Sequence, residues 1–300
     1  MRSGSAMAGA AGTVGYHVDT APLSSRSPQT YYGTIRVSSK DTVEAWVDFQ
    51  VVLEVLPGAS SVAPEPSPAG MVLDARDTQA GLSRAVTVYA SSTAPLPYQA
   101  SASTEQGGSW LSVSPATGLA SSAAPAGSTI VADPSGLAPG VYRGGVSYAF
   151  SSAAVRTVNV TLIVGANNAS GQITTQAGCV PASIIATQVG LVHNFQQQAG
   201  WPTPLALKLV NDCGSPVTSA EVTAGFSNGD PPLAFTPVDS VSGIFAATWT
   251  PRGVSSQVTI DARASVAGLS PATVRIVGQV AANPPPILAE NGALQIFAPT

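Results

Sequence analysis

Val158-Asn159-Val160-Thr161-Leu162-Ile163-Val164 places Val158, Val160, Leu162 and Val164 on every second position. In an extended chain successive side chains point to opposite faces, so these four share one face, the signature of a strand with a buried side. Phe49-x-Val51-x-Leu53-x-Val55 repeats the arrangement about a hundred residues earlier. Ahead of each stands a second matching piece: Tyr31-Tyr32-Gly33-Thr34-Ile35-Arg36-Val37 aligns with Tyr142-Arg143-Gly144-Gly145-Val146-Ser147-Tyr148 at the first Tyr and at the Gly. Further upstream Val18-Asp19 aligns with Ala132-Asp133. Residues 1–57 therefore read as the back half of the module that fills 66–165, an internal repeat of the kind found in modular arrays.

Working outward, strand-like runs recur at Thr34–Val37, Ala45–Val55, Met71–Leu73, Ala85–Ala90, Tyr98–Ser101, Trp110–Val113, Thr129–Ala132, Tyr142–Phe150 and Val155–Val164. Turn residues separate them at short spacing, which predicts an all-β chain of tandem immunoglobulin-like β-sandwiches. Composition agrees. Gly (29) and Pro (25) fill 18% of 300 residues, against about 12% on average, and charged side chains make only 9%. With 44% apolar residues the chain can still bury a core. A net charge of −4 offers no footprint for nucleic acid, and no run approaches the length of a membrane span. The N-terminal residues lack the apolar run of a secretory signal.

Pro57–Gly70 (PGASSVAPEPSPAG) reads as a linker, Gly165–Gly171 as a short hinge, and Ala281–Pro286 as a polyproline linker. The expected division is a partial sandwich over 1–57, a sandwich over 66–165, a further sandwich over 172–280, and over 281–300 a Pro-rich linker with the start of another module. The modules are expected to fold separately.

Two stretches carry family resemblances. Gly108-Ser109-Trp110-Leu111-Ser112-Val113-Ser114-Pro115-Ala116-Thr117-Gly118, Asp133-Pro134-Ser135-Gly136-Leu137-Ala138-Pro139-Gly140-Val141-Tyr142-Arg143-Gly144 and Val158–Val164 together resemble BACON-like domains. The resemblance implies an immunoglobulin-like sandwich from modular bacterial surface and secreted proteins, and its family name invokes carbohydrate binding. It also implies that Trp110 closes the gap between the sheets, whereas strict alternation would put Leu111 and Val113 inside and Trp110 out; a bulge after the glycines would let both be buried. Asn211-Asp212-Cys213-Gly214-Ser215-Pro216-Val217 with Ala220-Glu221-Val222, and Gly243–Pro251, resemble bacterial Ig-like domains.

Chemistry-bearing residues are few. Cys179 and Cys213 fall in one module and, in an exported protein, read as an intradomain disulfide; two buried thiols or a metal site are the alternatives, and His193 has no partner at ligand spacing. Trp46 and Trp110 lie in strands at repeat positions that resemble core positions, and Trp249 sits mid-strand in an alternating run, so all three read as core. Trp201, in the turn Gly200-Trp201-Pro202, is the candidate ligand contact, against the reading that it covers the end of a sandwich. His17 reads as solvated. Asp212 and Asp230 sit in turn-forming corners, where a Ca²⁺ loop is the alternative to plain turn chemistry. No nucleophile elbow, phosphate loop or zinc-helix motif occurs, so no catalytic residue, metal ligand or cofactor is assigned.

The expectation is a non-enzymatic, extracellular or cell-surface segment of a longer exported protein, without membrane insertion and monomeric, acting as a spacer, stalk or adhesion array. The alternative is an array of carbohydrate-binding modules. Its partners would be extracellular polysaccharide or other surface proteins.

Overall fold

A computed structural model describes residues 30–38, 46–55, 62–76, 80–167, 173–174 and 179–282. The expectations for His17, Val18–Asp19, residues 57–61, 168–171 and 283–300, and for the side chain of Trp46, lie outside the described residues. The described residues are all-β, without a helix. The chain divides into two compact units, residues 1–61 with 284–300, and residues 62–283.

In the first unit β1 (Thr30–Ser38) pairs antiparallel with β2 (Trp46–Glu54), setting Tyr31 opposite Leu53, Gly33 opposite Val51 and Ile35 opposite Phe49. The repeat seen in sequence is thus a repeat of register, because the second copy makes the equivalent pairs at the end of the sandwich that follows.

That sandwich is built from β3 (Glu65–Ser67), β4 (Gly70–Ala75), β5 (Leu82–Tyr89), β6 (Leu96–Thr104), β7 (Leu111–Ser114), β8 (Thr117–Ala120), β9 (Ala126–Ala132), β10 (Gly140–Phe150) and β11 (Val155–Val164). One sheet runs β4-β11-β10-β6-β8 and the other β3-β5-β9-β7. Between β10 and β11, Tyr142 faces Leu162, Gly144 faces Val160 and Val146 faces Val158. The alternating set Val158, Val160, Leu162 and Val164 points into the core with Leu73, Val86, Val88, Ile130 and Tyr148. Burying the Tyr148 hydroxyl would be costly without a partner, and Ser128 Oγ supplies one at 2.6 Å.

Trp110 is 4% exposed and Leu111 is buried as well. No bulge is needed. The strand begins only at Leu111, and Gly107 and Gly108, at φ +81° and +75°, re-aim the chain so that Trp110 enters the core ahead of the alternation. Its indole N–H donates to the Gln106 carbonyl at 2.9 Å and its ring meets Tyr142 edge-on.

After the two-residue strands β12 (Ala166–Asn167) and β13 (Ile173–Thr174), the second sandwich comprises β14 (Ile184–Gln188), β15 (Phe195–Gln198), β16 (Thr203–Asn211), β17 (Glu221–Phe226), β18 (Leu233–Ala234), β19 (Thr236–Pro237), β20 (Ile244–Trp249), β21 (Ser255–Ser265) and β22 (Ala272–Ala281). Its sheets run β14-β16-β20-β19 and β15-β22-β21-β17-β18. In each sandwich the last strand pairs in parallel with an early one, β11 with β4 and β22 with β15. Trp249, 3% exposed, anchors the second core, stacked on Phe226 and edge-on to Phe195.

Candidate functional site: the junction of the two sandwiches

β11 is buried on both faces. Thr157, Asn159, Thr161 and Ile163 point away from the first core, and Thr161 and Ile163 are nonetheless buried. The second sandwich covers them. Thr161 Oγ1 meets Thr187 Oγ1 of β14 at 2.6 Å, and the Thr157 amide donates to the His193 carbonyl at 3.3 Å. Ala69, just before β4, packs into the core of the second sandwich rather than the first. Next to it Gly70 lies so close to β14 that a Cβ would stand 1.9 Å from the Gln188 carbonyl oxygen. From the other side Gly214, at φ +79°, sets its Cα against Ile163 and the Arg76 side chain; a Cβ there would stand 2.6 Å from Ile163 Cγ2.

Cys179 and Cys213 are joined in a disulfide with 5.9 Å between their Cα atoms. The bond fastens the chain entering the second sandwich to the Asp212-Cys213-Gly214 turn, the same turn that touches the first. Such bonds form and persist in oxidising surroundings, which points to an extracytoplasmic location. Reduction should lower stability by up to about 4 kcal/mol in the chain-entropy view of a loop this long. Denaturant titration with and without dithiothreitol measures this, and unchanged midpoints would contradict it.

Asp212, Asp230 and Asp261 are committed to turns and pairs. Asp212 accepts from the Ala182 amide at 3.1 Å. Asp230 is buried and accepts from Trp249 Nε1 at 2.9 Å, Asn228 Nδ2 at 2.8 Å and the Arg252 amide at 3.3 Å. Asp261 pairs with Arg275 at 2.7 Å. Among the described residues no three His, Cys, Asp or Glu side chains gather as a metal site would require.

Trp201 is half-buried, in a turn closed by its amide to the Gln198 carbonyl at 3.2 Å after Gly200 at φ +78°. It lines a cavity of about 300 Å³ at the junction, together with Glu65, Arg156, Gln196 and Gln197. Sequence reasoning singled out Trp201 and missed the others. They come from strands of both sandwiches, and nothing local marks Glu65 or Arg156 as neighbours of a turn about 45 residues or more further on. Burial raises the Glu65 pKa above its ordinary value, with Arg156 opposing the shift, and burial lowers that of Arg156.

Burial also holds the His193 pKa below its ordinary 6.5. The unfolded chain then binds this proton first, so stability present above pH 6.5 should be lost as pH falls through 6.5 toward the folded value. His193→Gln should flatten that part of the pH–stability curve. An identical acid slope in the variant would exclude the histidine as its source.

The family comparison bears on the first sandwich, and the structural ones reach over both. Residues 64–177 match the family described as the Viral BACON domain. No curated protein matches. Solved structures that are similar include the D0-D1 domain of intimin, at 15% identity, covering 72% of this chain and 98% of that one with a TM-score of 0.30. The Escherichia coli adhesin FdeC aligns at 18% identity over 77% of this chain and 68% of its own, with a TM-score of 0.25. The CupB2 chaperone of Pseudomonas aeruginosa aligns at 10% identity over 71% and 99%, with a TM-score of 0.31. Scores this low carry nothing about function.

Proposed function

We propose that residues 62–283 are a stiff, non-catalytic pair of sandwiches in the exposed portion of a surface array, serving as spacer, stalk or adhesive support. The carrying observation is the packed junction: Ala69 of one sandwich sits in the core of the next, and Gly70 leaves no room between the backbones. An interface of this kind resists bending, because any hinge motion must first pull an apolar residue out of a core. Trp110 and Trp249 are inside, where they stabilise rather than bind. The matching register of β1–β2 and β10–β11 supports reading residues 1–57 as part of a preceding module of the same kind. The viral description of the matched family adds a virion appendage to the bacterial cell surface as a setting for such an array.

Residual dipolar couplings test the reading. One alignment tensor should fit the amides of 64–164 and 183–281 together. Two distinct tensors would mean a flexible tether and would end the spacer proposal.

The second reading, carbohydrate binding, draws on Trp201 at its cleft. A neutral-glycan array probed with the full chain is its direct test, with binding lost in Trp201→Ala.

A further inference from the structure

We propose that the junction cleft is a binding site for a ring-bearing organic carboxylate, whose carboxylate is held by Arg156 and whose flat face lies on Trp201. The site goes beyond the spacer reading and does not depend on it.

Arg156 is the starting point. It is 5% exposed, and a guanidinium carries five N–H donors that cost free energy when buried without acceptors. Nη1 donates to the Val155 carbonyl at 3.0 Å, and Nη2 has no partner. Glu65 is the carboxylate whose charge Arg156 feels, yet no ion pair or hydrogen bond joins the two among the described residues. The Arg156 side chain forms part of the wall of the 300 Å³ cavity, and on its other side borders a more open cavity of about 630 Å³. A buried, half-satisfied guanidinium at a cavity wall lacks an oxygen acceptor, and a carboxylate is the group its planar fork fits.

The other lining groups define the rest of the ligand. The Trp201 indole and the Gln196 and Gln197 side chains make no hydrogen bond to the protein among the described residues, and all three residues line the cavity; as neighbours in β15 the two glutamines send their side chains to opposite faces, so one amide can reach a ligand there. An aromatic ring with one uncommitted amide beside it suits a flat ring with a polar substituent. The volume admits about one ring with its substituents, not an extended polymer. Because Glu65 shares the wall, it opposes a second negative charge, and the site takes one carboxylate rather than a dianion.

A uronic acid and an aromatic acid share this chemistry, so the test carries both. The full chain, labelled with ¹⁵N, is titrated with galacturonate, with methyl galacturonate ester and with benzoate. Expected are saturable shifts of the Trp201 indole N–H and of one of the Gln196 and Gln197 side-chain amides with a carboxylate probe, absent with the ester. Saturation by galacturonate alone or by benzoate alone supports the site and identifies its source; saturation by both supports the shared chemistry. Glu65→Gln removes the competing charge and should tighten carboxylate binding severalfold, while Arg156→Gln should weaken it by about tenfold or more. Should Arg156→Gln fail to fold, Trp201→Ala and Glu65→Gln still decide, the first weakening and the second strengthening binding. Three results would overturn the proposal: no saturable shift with either acid, equal shifts with the ester, or Glu65→Gln leaving the affinity unchanged.

Discussion

Replacing Trp249 with Ala is expected to lower the stability of the second sandwich by about 3–5 kcal/mol, the range for deleting a large buried aromatic. The ring is not only volume. It stacks on Phe226 at a centroid distance of 5.0 Å and meets Phe195 at 5.8 Å, so its loss opens a cavity between two other aromatics. Its N–H also satisfies the buried Asp230 carboxylate, which keeps only Asn228 and the Arg252 amide once the indole is gone. Trp249→Phe separates the two effects, restoring most of the packing without the donor. Urea titration followed by the remaining tryptophans reads both variants. A midpoint for Trp249→Ala within error of the parent would mean that this ring does not hold the core.

Gly70→Val is expected to part the two sandwiches while leaving the rest of each core intact. A side chain at this position meets the Gln188 carbonyl oxygen and carbon and the Asn159 carbonyl. All are backbone atoms that cannot rotate aside, unlike the flexible tip of a lysine. Overpacking of this sort costs about 1–3 kcal/mol where the surroundings can shift. Here the cheapest shift is withdrawal of Ala69 from the neighbouring core, with loss of the Thr161–Thr187 hydrogen bond. Hydrogen exchange should then quicken at Thr157 and at residues of β14 and stay slow in β10 and β21. Uniform loss of protection would show that the sandwiches cannot exist apart, and unchanged exchange would show that the junction tolerates the side chain.

The fold was legible because its determinants are local. Alternation at Phe49–Val55 and Val158–Val164 marks strand faces whatever surrounds them, and the shared Tyr and Gly ahead of each fixed the copies in the register now observed. The disulfide was readable from composition and setting, since two cysteines in one module leave one pairing. Trp110 was readable only through resemblance. Counting alternate positions puts it outside, because the count assumes a strand that has already begun, and two glycines with positive φ postpone that start by one residue.

The candidate site was legible at a single residue, Trp201, whose turn is written in Gly200 and Pro202. Glu65, Arg156, Gln196 and Gln197 carry no local mark, because what matters about them is the docking of two sandwiches. Ile163 shows the same limit. It sits on the face that alternation assigns to solvent, and it is buried because a second domain lies over it. Sequence periodicity by itself determined which face of a regular strand such as β11 or β21 lines a sandwich interior, since that follows from the two-residue repeat of an extended chain. Which outward faces meet, and what cleft they leave, was decided only in the tertiary structure, where Gly70 lets two backbones approach more closely than any side chain would allow and Gly214 seats against the side chains of Ile163 and Arg76.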